Sequence, residues 1–254
     1  MNPVINMKRL LYSYLISMSL LLSATDTNAE EYVFVSLEFP PLEYTGEDGS
    51  PTGIAVDIVR KIMTSLGHEV QINIHPWSRS LDLVRKGNAD AIFTAYRTPD
   101  REKFLDYSKE VLIHQTIALY AKKDSPIIFN GDLTTLRDKQ IGVISTISYG
   151  PRFDQMRPNL NVQSVEKLEQ NFQKLMLGRI DLFISNKFVA DWKLQTTGMT
   201  NLITSLSREV DHVPSFIGFS RKQGLTRLRD DFDRELIRLK NNGEYKKILA
   251  RYKM

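Results

Sequence analysis

Short apolar runs of strand length alternate with amphipathic helical stretches along this sequence, and the alternation occurs twice. A strand–helix–strand order that repeats in this way lays its strands parallel and packs helices on the faces of the sheet, which confines the chain to the α/β class. The first set begins with Tyr32–Leu37 and continues with Ala55, Ile58, Val59, Ile62, Met63 and Leu66 at helical spacing, ended by Gly67. Val70–Ile74, a short helix over Arg79–Lys86 stopped by Gly87, and the run Ala89–Phe93 complete it. The second set comprises Ile141–Ile144, a weaker strand Val162–Val165, a helix with Leu168, Phe172, Leu175 and Met176 on one face, and the strand Ile180–Ile184 entering a helix capped by Ser185 or Asn186. Between the sets lies the β-rich Val111–Ala121. After them come a strand over Ser215–Ser220, a long helix striped by Leu225, Leu228, Phe232, Leu236 and Leu239, and a short one carrying Tyr245, Ile248, Leu249 and Tyr252. Two such sets predict two small lobes, and ligands of open α/β sheets bind beyond the carboxyl ends of the strands.

The stretch Ala89–Ser108 places chemistry at such an end. Ala91, Ile92 and Phe93 read as a strand buried on both faces. Thr98 and Pro99 suit the N-cap and first position of a helix, whose free N–H groups at Asp100, Arg101 and Glu102 would face the strand end and favour an anion. Arg101 adds a guanidinium fork that matches a carboxylate. The competing reading pairs Arg101 with Asp100, Glu102 or Asp106 on a solvated helix face. Upstream, Phe39-Pro40-Pro41-Leu42-Glu43-Tyr44 cannot continue a central strand and forms a loop with an exposed aromatic, and Gly46–Pro51 forms a turn.

Composition excludes several classes. The chain has 254 residues and no cysteine, so disulfides, thiolate metal sites and cysteine nucleophiles are absent. His68, His75, His114 and His212 show no metal-ligand spacing, no phosphate-loop or G-x-S-x-G pattern occurs, and no cofactor is expected. A net charge of +4, with basic and acidic residues interspersed, does not build a nucleic-acid-binding stripe. Lys8-Arg9, the apolar Leu10–Leu22 and the small residues Ala24 and Ala29 have the form of an export signal over residues 1–29, the alternative being a retained membrane anchor. No cysteine follows the apolar run for a lipid, so the expected location is a periplasm.

In order and spacing, Phe39–Tyr44, Gly53-Ile54-Ala55-Val56-Asp57, Trp77, Gly87-x-x-Asp90-Ala91 and Thr98-Pro99-Asp100-Arg101 resemble the family 3 extracellular solute-binding proteins, receptors for amino acids that feed ABC importers. Leu105–Ser108, Gly178-Arg179-Ile180-Asp181 and Gly243-Glu244-Tyr245 extend the resemblance over the whole exported chain. It implies the two-lobed type II periplasmic binding protein fold: residues 30–115 as the first part of lobe one, 116–214 as lobe two, and 215–254 returning to lobe one. Two crossing strands near Ile113–Leu119 and Leu206–Phe216 would form the hinge. It further implies that Arg101 holds a ligand carboxylate with Thr94 and Tyr96 just upstream, that Phe39 packs on the ligand and Trp77 edges the pocket, and that Ser148 and Asn186 contribute from lobe two. Asn186 stands where amino-acid binders carry the aspartate that holds the ammonium. A ligand here is therefore expected to lack a free α-amine or to find its counter-charge at Glu38, Glu43 or Asp181. The implied partners are a small carboxylate-bearing solute and a membrane permease, with a monomeric protein. An enzyme of the same fold, of the cyclohexadienyl dehydratase type, and a ligand sensor for a kinase are the other readings.

Overall fold

The computed structural model describes residues 30–145 and 147–252. The expected export signal over 1–29 lies outside the described residues.

The chain opens with strand β1 (Glu31–Ser36), a small hairpin of β2 (Tyr44–Thr45) and β3 (Pro51–Thr52), helix α1 (Ile54–Ser65) and β4 (Glu69–Ile74). Helix α2 (Trp77–Lys86), β5 (Ala91–Tyr96), the single turn α3 (Pro99–Glu102), β6 (Leu105–Tyr107) and β7 (Ile113–Lys122) follow. Then come β8 (Gln140–Ile144), α4 (Pro151–Met156), β9 (Asn161–Val165), α5 (Leu168–Met176), β10 (Leu182–Asn186) and α6 (Lys187–Thr196). The long strand β11 (Ile203–Ser220) and helices α7 (Thr226–Asn241) and α8 (Glu244–Arg251) end the fold.

The expected parallel sets are present: β1 pairs in parallel with β4 and β5, and β8 with β9 and β10. They do not form separate sheets. Among the described residues they are joined in the order β4-β1-β5-β11-β7-β10-β8-β9, with β6 also on β11, because β7 and β11 run antiparallel through the middle. The strand expected at Ser215–Ser220 is the second half of this 18-residue β11. Its first half pairs with β7 and its second half reaches β5 and β6.

The apolar runs are buried on both faces, as a parallel sheet covered by helices requires. Phe34 and Phe93 face one core with Ile58 and Ile62 of α1 and Phe232 and Leu236 of α7, while their neighbours Val35 and Ile92 face another with Val84 of α2. In the second set Leu182 and Ile184 pack with Ile141, Val143 and Phe153, whereas Phe183 packs with Phe172 and Leu175 of α5. Each such side chain contributes about 1.5–3 kcal/mol on burial. The first two cores draw on β1, β4–β6, α1, α2, the C-terminal helices and residues 112–113 and 216–219, the other two on residues between Ile117 and Val213, so the chain is a two-lobed α/β protein. Asp57 is a structural pin: it accepts from the Tyr252 hydroxyl at 3.0 Å and pairs with Arg251 at 3.1 Å, which ties α8 to α1.

The helix expected to start at Thr98 is a single turn. Beyond Glu102 the chain is drawn into β6, where fully buried Leu105 and nearly buried Tyr107 pair with Ser220 and Gly218 of β11, and this long-range pairing overrides a good local helix start. Two of the three N–H groups expected to face a ligand are already used: Arg101 and Glu102 both donate to the Thr98 carbonyl at 3.0 Å. An anion here relies mainly on the Arg101 side chain.

Candidate functional site

The loop after β1 is held from behind by a helix. The backbone N–H groups of Ile54 and Ala55, at the start of α1, donate to the Pro41 and Leu42 carbonyls at 3.0 and 2.8 Å. Gly53 makes this possible, since its φ of 121° and the close pass of the Leu42 carbonyl leave no room for a Cβ. Phe39 and Glu43 close the turn on each other, with Phe39 N donating to Glu43 O at 2.7 Å. Phe39 is thereby projected between the lobes, packing against a core of each.

Glu43 itself points inward. It is fully buried, its Oε1 accepts from the Thr94 and Ser36 hydroxyls, and its Oε2 has no partner among the described residues. Burial pushes the carboxyl well above its ordinary range, against the pull of those two hydrogen bonds, with Glu38 adding to the rise. Thr94, at the carboxyl end of β5, has φ +56°, a left-handed conformation that costs a β-branched residue about 1–3 kcal/mol. Glu43 grips its side chain and Gln115 Nε2 donates to its carbonyl at 3.4 Å.

A raised folded pKa makes the native state bind more protons than the unfolded chain. The stability owed to Glu43 is therefore fully present below about pH 4.5 and is lost as pH rises through the raised value. We expect Glu43→Gln, which keeps the shape and cannot ionise, to gain stability relative to wild type as pH goes from about 5 to about 8. Thermal melts across that range test this; a constant difference between the two proteins would contradict it.

Arg101 is displayed toward the cleft. Its Nη1 donates to the Tyr96 carbonyl at 3.1 Å and its guanidinium lies 5.2 Å from the Trp77 ring centre. The pairing partners considered for it are engaged elsewhere: Asp100 with Lys103, Glu102 with Arg97, and Asp106 with Arg229. Among the described residues Arg101 has no carboxylate partner. Burial pushes the guanidinium down from its ordinary value, while Tyr107, Tyr96 and the Asp154 carboxylate pull the other way.

Lobe two supplies the loop before α4. The Ser148 hydroxyl donates to Asp154, whose other oxygen accepts from Tyr149 N at 3.1 Å, and the Tyr149 hydroxyl accepts from Ile144 N at 2.7 Å, so the loop is braced. Asn186 caps α6: its Oδ1 accepts from Phe188 N and Val189 N, and its Nδ2 donates to Gln115 Oε1 at 2.7 Å. The same Gln115 oxygen accepts from the Tyr96 hydroxyl at 2.9 Å.

Phe39, Trp77, Thr94, Tyr96, Arg101 and Ser148 line one cavity of about 40 Å³ together with Leu37, Gln115 and Ile147. Past Phe39, Trp77 and Ile147 it opens into a groove of about 1420 Å³, where Tyr44 and Trp192 meet across the lobes at 5.8 Å. Six of the seven residues expected from the sequence are thus brought together. Asn186 is not among the lining residues and donates to Gln115, which is. Of the expected counter-charges, Glu43 is sealed behind Thr94, Glu38 lies in the groove bonded to Thr45, and Asp181 accepts from Gln140 N at 2.7 Å as a structural pin. Gln115 was missed. Its one trace in the sequence is a polar residue, 2% exposed here, inside the β-rich run Val111–Ala121.

The chain is similar to known proteins. The chain is 26% identical over 175 residues to the L-cystine-binding protein TcyJ of Escherichia coli, covering 68% of this chain and 65% of the length of that relative. It is 23% identical over 216 residues to ABC transporter arginine-binding protein 1 of the same species, covering 84% and 86%. A histidine kinase sensor domain with similarity to periplasmic binding proteins superposes with a TM-score of 0.74 at 19% identity, over 88% of this chain and 95% of that one. Residues 32–254 match the family itself, and the chain therefore belongs to the bacterial extracellular solute-binding proteins, family 3.

Proposed function

We propose that the protein captures a small carboxylate-bearing solute, an amino acid or a derivative of one, in the interlobe cleft and delivers it to an ABC importer. The observation that carries this is the Arg101 guanidinium, which lines the cavity without a carboxylate partner among the described residues and with aromatic walls around it. A desolvated guanidinium with spare donors suits a carboxylate in bidentate geometry. In this reading residues 1–29 are an export signal, the protein works in the periplasm as a monomer, and lobe one (30–115 and 215–254) closes on lobe two (116–214) about β7 and β11. Similarity to arginine- and cystine-binding proteins supports the ligand class and the importer role.

A dehydratase would need a general acid or base at the cavity. Among the described residues no acidic side chain lines it, and Glu43 is sealed behind Thr94, which favours binding over turnover. The sensor reading shares the fold and differs only in the partner.

The test is thermal unfolding of the chain lacking residues 1–29, refolded to strip bound solute, against amino acids, their derivatives, dicarboxylates and polyamines. A ligand at a hundred times its Kd stabilises by about 2.7 kcal/mol, raising Tm by about 5–10 °C at this size. A shift with carboxylates is the expected result. Shifts confined to cations, or turnover of prephenate or arogenate, would overturn the proposal.

A further inference from the structure

Arg101, Gln115 and Asn186 set the polarity of the cavity, and that polarity narrows the ligand class. An α-ammonium sits about 2.5 Å from its carboxylate carbon, so it must enter the same cavity as the carboxylate. There it needs acceptors, and its charge needs a counter-ion. Arg101 is the one charged residue lining the cavity among the described residues.

Most of the acceptors nearby are engaged at least once, and because an oxygen with one donor can take a second, what the cavity lacks is a charged acceptor: no carboxylate lines it among the described residues. Gln115 Oε1 receives both Tyr96 and Asn186, and Asn186 Oδ1 receives the backbone of Phe188 and Val189. The Tyr96 carbonyl receives Arg101 and the Tyr107 hydroxyl, and the Thr94 carbonyl receives Gln115. Asp154, behind Ser148, has one oxygen on the Ser148 hydroxyl and the other on Tyr149 N. Donors, by contrast, are in surplus: Arg101 uses Nη1 on a single carbonyl and keeps further N–H groups, and Gln115 retains a second amide hydrogen. The rest of the wall is uncharged: Thr94, Tyr96 and Ser148 bring hydroxyls, and Leu37, Phe39, Trp77 and Ile147 are apolar or aromatic.

We infer that the ligand is a carboxylate with no ammonium on its α-carbon and an apolar body, such as a 2-unsubstituted, 2-hydroxy or 2-oxo acid. The inference rests on the proposed carboxylate site at Arg101. A positive group farther along the ligand is compatible with it, because Glu38 and Glu169 line the groove and not the cavity.

Matched pairs test this: acetate against glycine, 4-methylpentanoate against leucine, and 3-phenylpropanoate against phenylalanine. Each is titrated calorimetrically and by tryptophan fluorescence, with wild type, Arg101→Met and Asn186→Asp. The expected result is that within each pair that binds, the acid without the amine binds at least about tenfold more tightly. Asn186→Asp, which removes a donor to Gln115 and adds a carboxylate, should narrow that gap. An amino acid binding as tightly as its des-amino partner, while Arg101→Met weakens both, would overturn the inference and leave the carboxylate site standing. If no acid of any pair distinguishes wild type from Arg101→Met, the carboxylate site is wrong and the inference falls with it.

Discussion

Arg101→Ala is expected to weaken binding of the carboxylate ligand by about tenfold to a hundredfold or more. A hydrogen bond to a charged group contributes about 1.5–3 kcal/mol net, and each 1.4 kcal/mol is a factor of ten in Kd. The guanidinium uses Nη1 on the Tyr96 carbonyl and rests 5.2 Å from the Trp77 ring, so it is held in place before the ligand arrives and little side-chain entropy remains to be lost on binding. The neighbouring helical turn offers little compensation, since two of its three N–H groups, those of Arg101 and Glu102, already bond Thr98. Arg101→Lys should fall between wild type and alanine, because an ammonium keeps the charge and loses the fork. Titration with the tightest acid of the panel measures both variants. An alanine variant that binds as wild type does would remove Arg101 from the site.

The largest effect on stability is expected at Gly53. A Cβ there would lie 2.5 Å from the Leu42 carbonyl oxygen and 2.9 Å from that of Pro41, both of them backbone atoms fixed by α1. Relief of the clash breaks the bonds from Ile54 and Ala55, each worth about 0.5–1.5 kcal/mol. The φ of 121° adds about 1–3 kcal/mol for any residue with a side chain. Gly53→Ala should therefore cost about 2–6 kcal/mol, lower Tm by about 4–24 °C, and weaken ligand binding, because Phe39 moves with the loop. Gly49→Ala is the control. Gly49 also has a positive φ, of 80°, yet a Cβ there meets nothing within 4 Å, so its cost should stay near 1 kcal/mol. Equal losses at the two positions in denaturant melts would show that the close approach of loop to helix does not hold the site.

What could be read directly from the sequence was local. The stripe from Ala55 to Leu66, the buried run at Ala91–Phe93 and the stop signals at Gly67, Gly87 and Gly178 each depend on residues a few positions apart, and each element formed where periodicity placed it. The same is true of much of the site. Phe39, Thr94, Tyr96 and Arg101 follow a loop or a strand end, and the ends of parallel strands converge by topology, which is why they share one cavity with Trp77 and Ser148.

Long-range pairing decided the rest. Thr98-Pro99 has every local mark of a helix start, but β11 claims Leu105–Tyr107 and leaves one turn. Asn186 looks from its position like a ligand residue, and only the fold shows its oxygen spent on α6 and its amide nitrogen donating to Gln115. Gln115 is the middle of three polar residues, His114 to Thr116, until β7 carries it beneath Tyr96 and Thr94. Glu43 is an ordinary loop carboxylate until Thr94 closes over it. Sequence by itself determined the elements and the residue types brought to the strand ends, because spacing along the chain sets which faces are apolar. Tertiary structure alone decided which polar atoms are left to meet a ligand, because hydrogen-bond capacity is spent among residues up to 71 positions apart, as between Gln115 and Asn186.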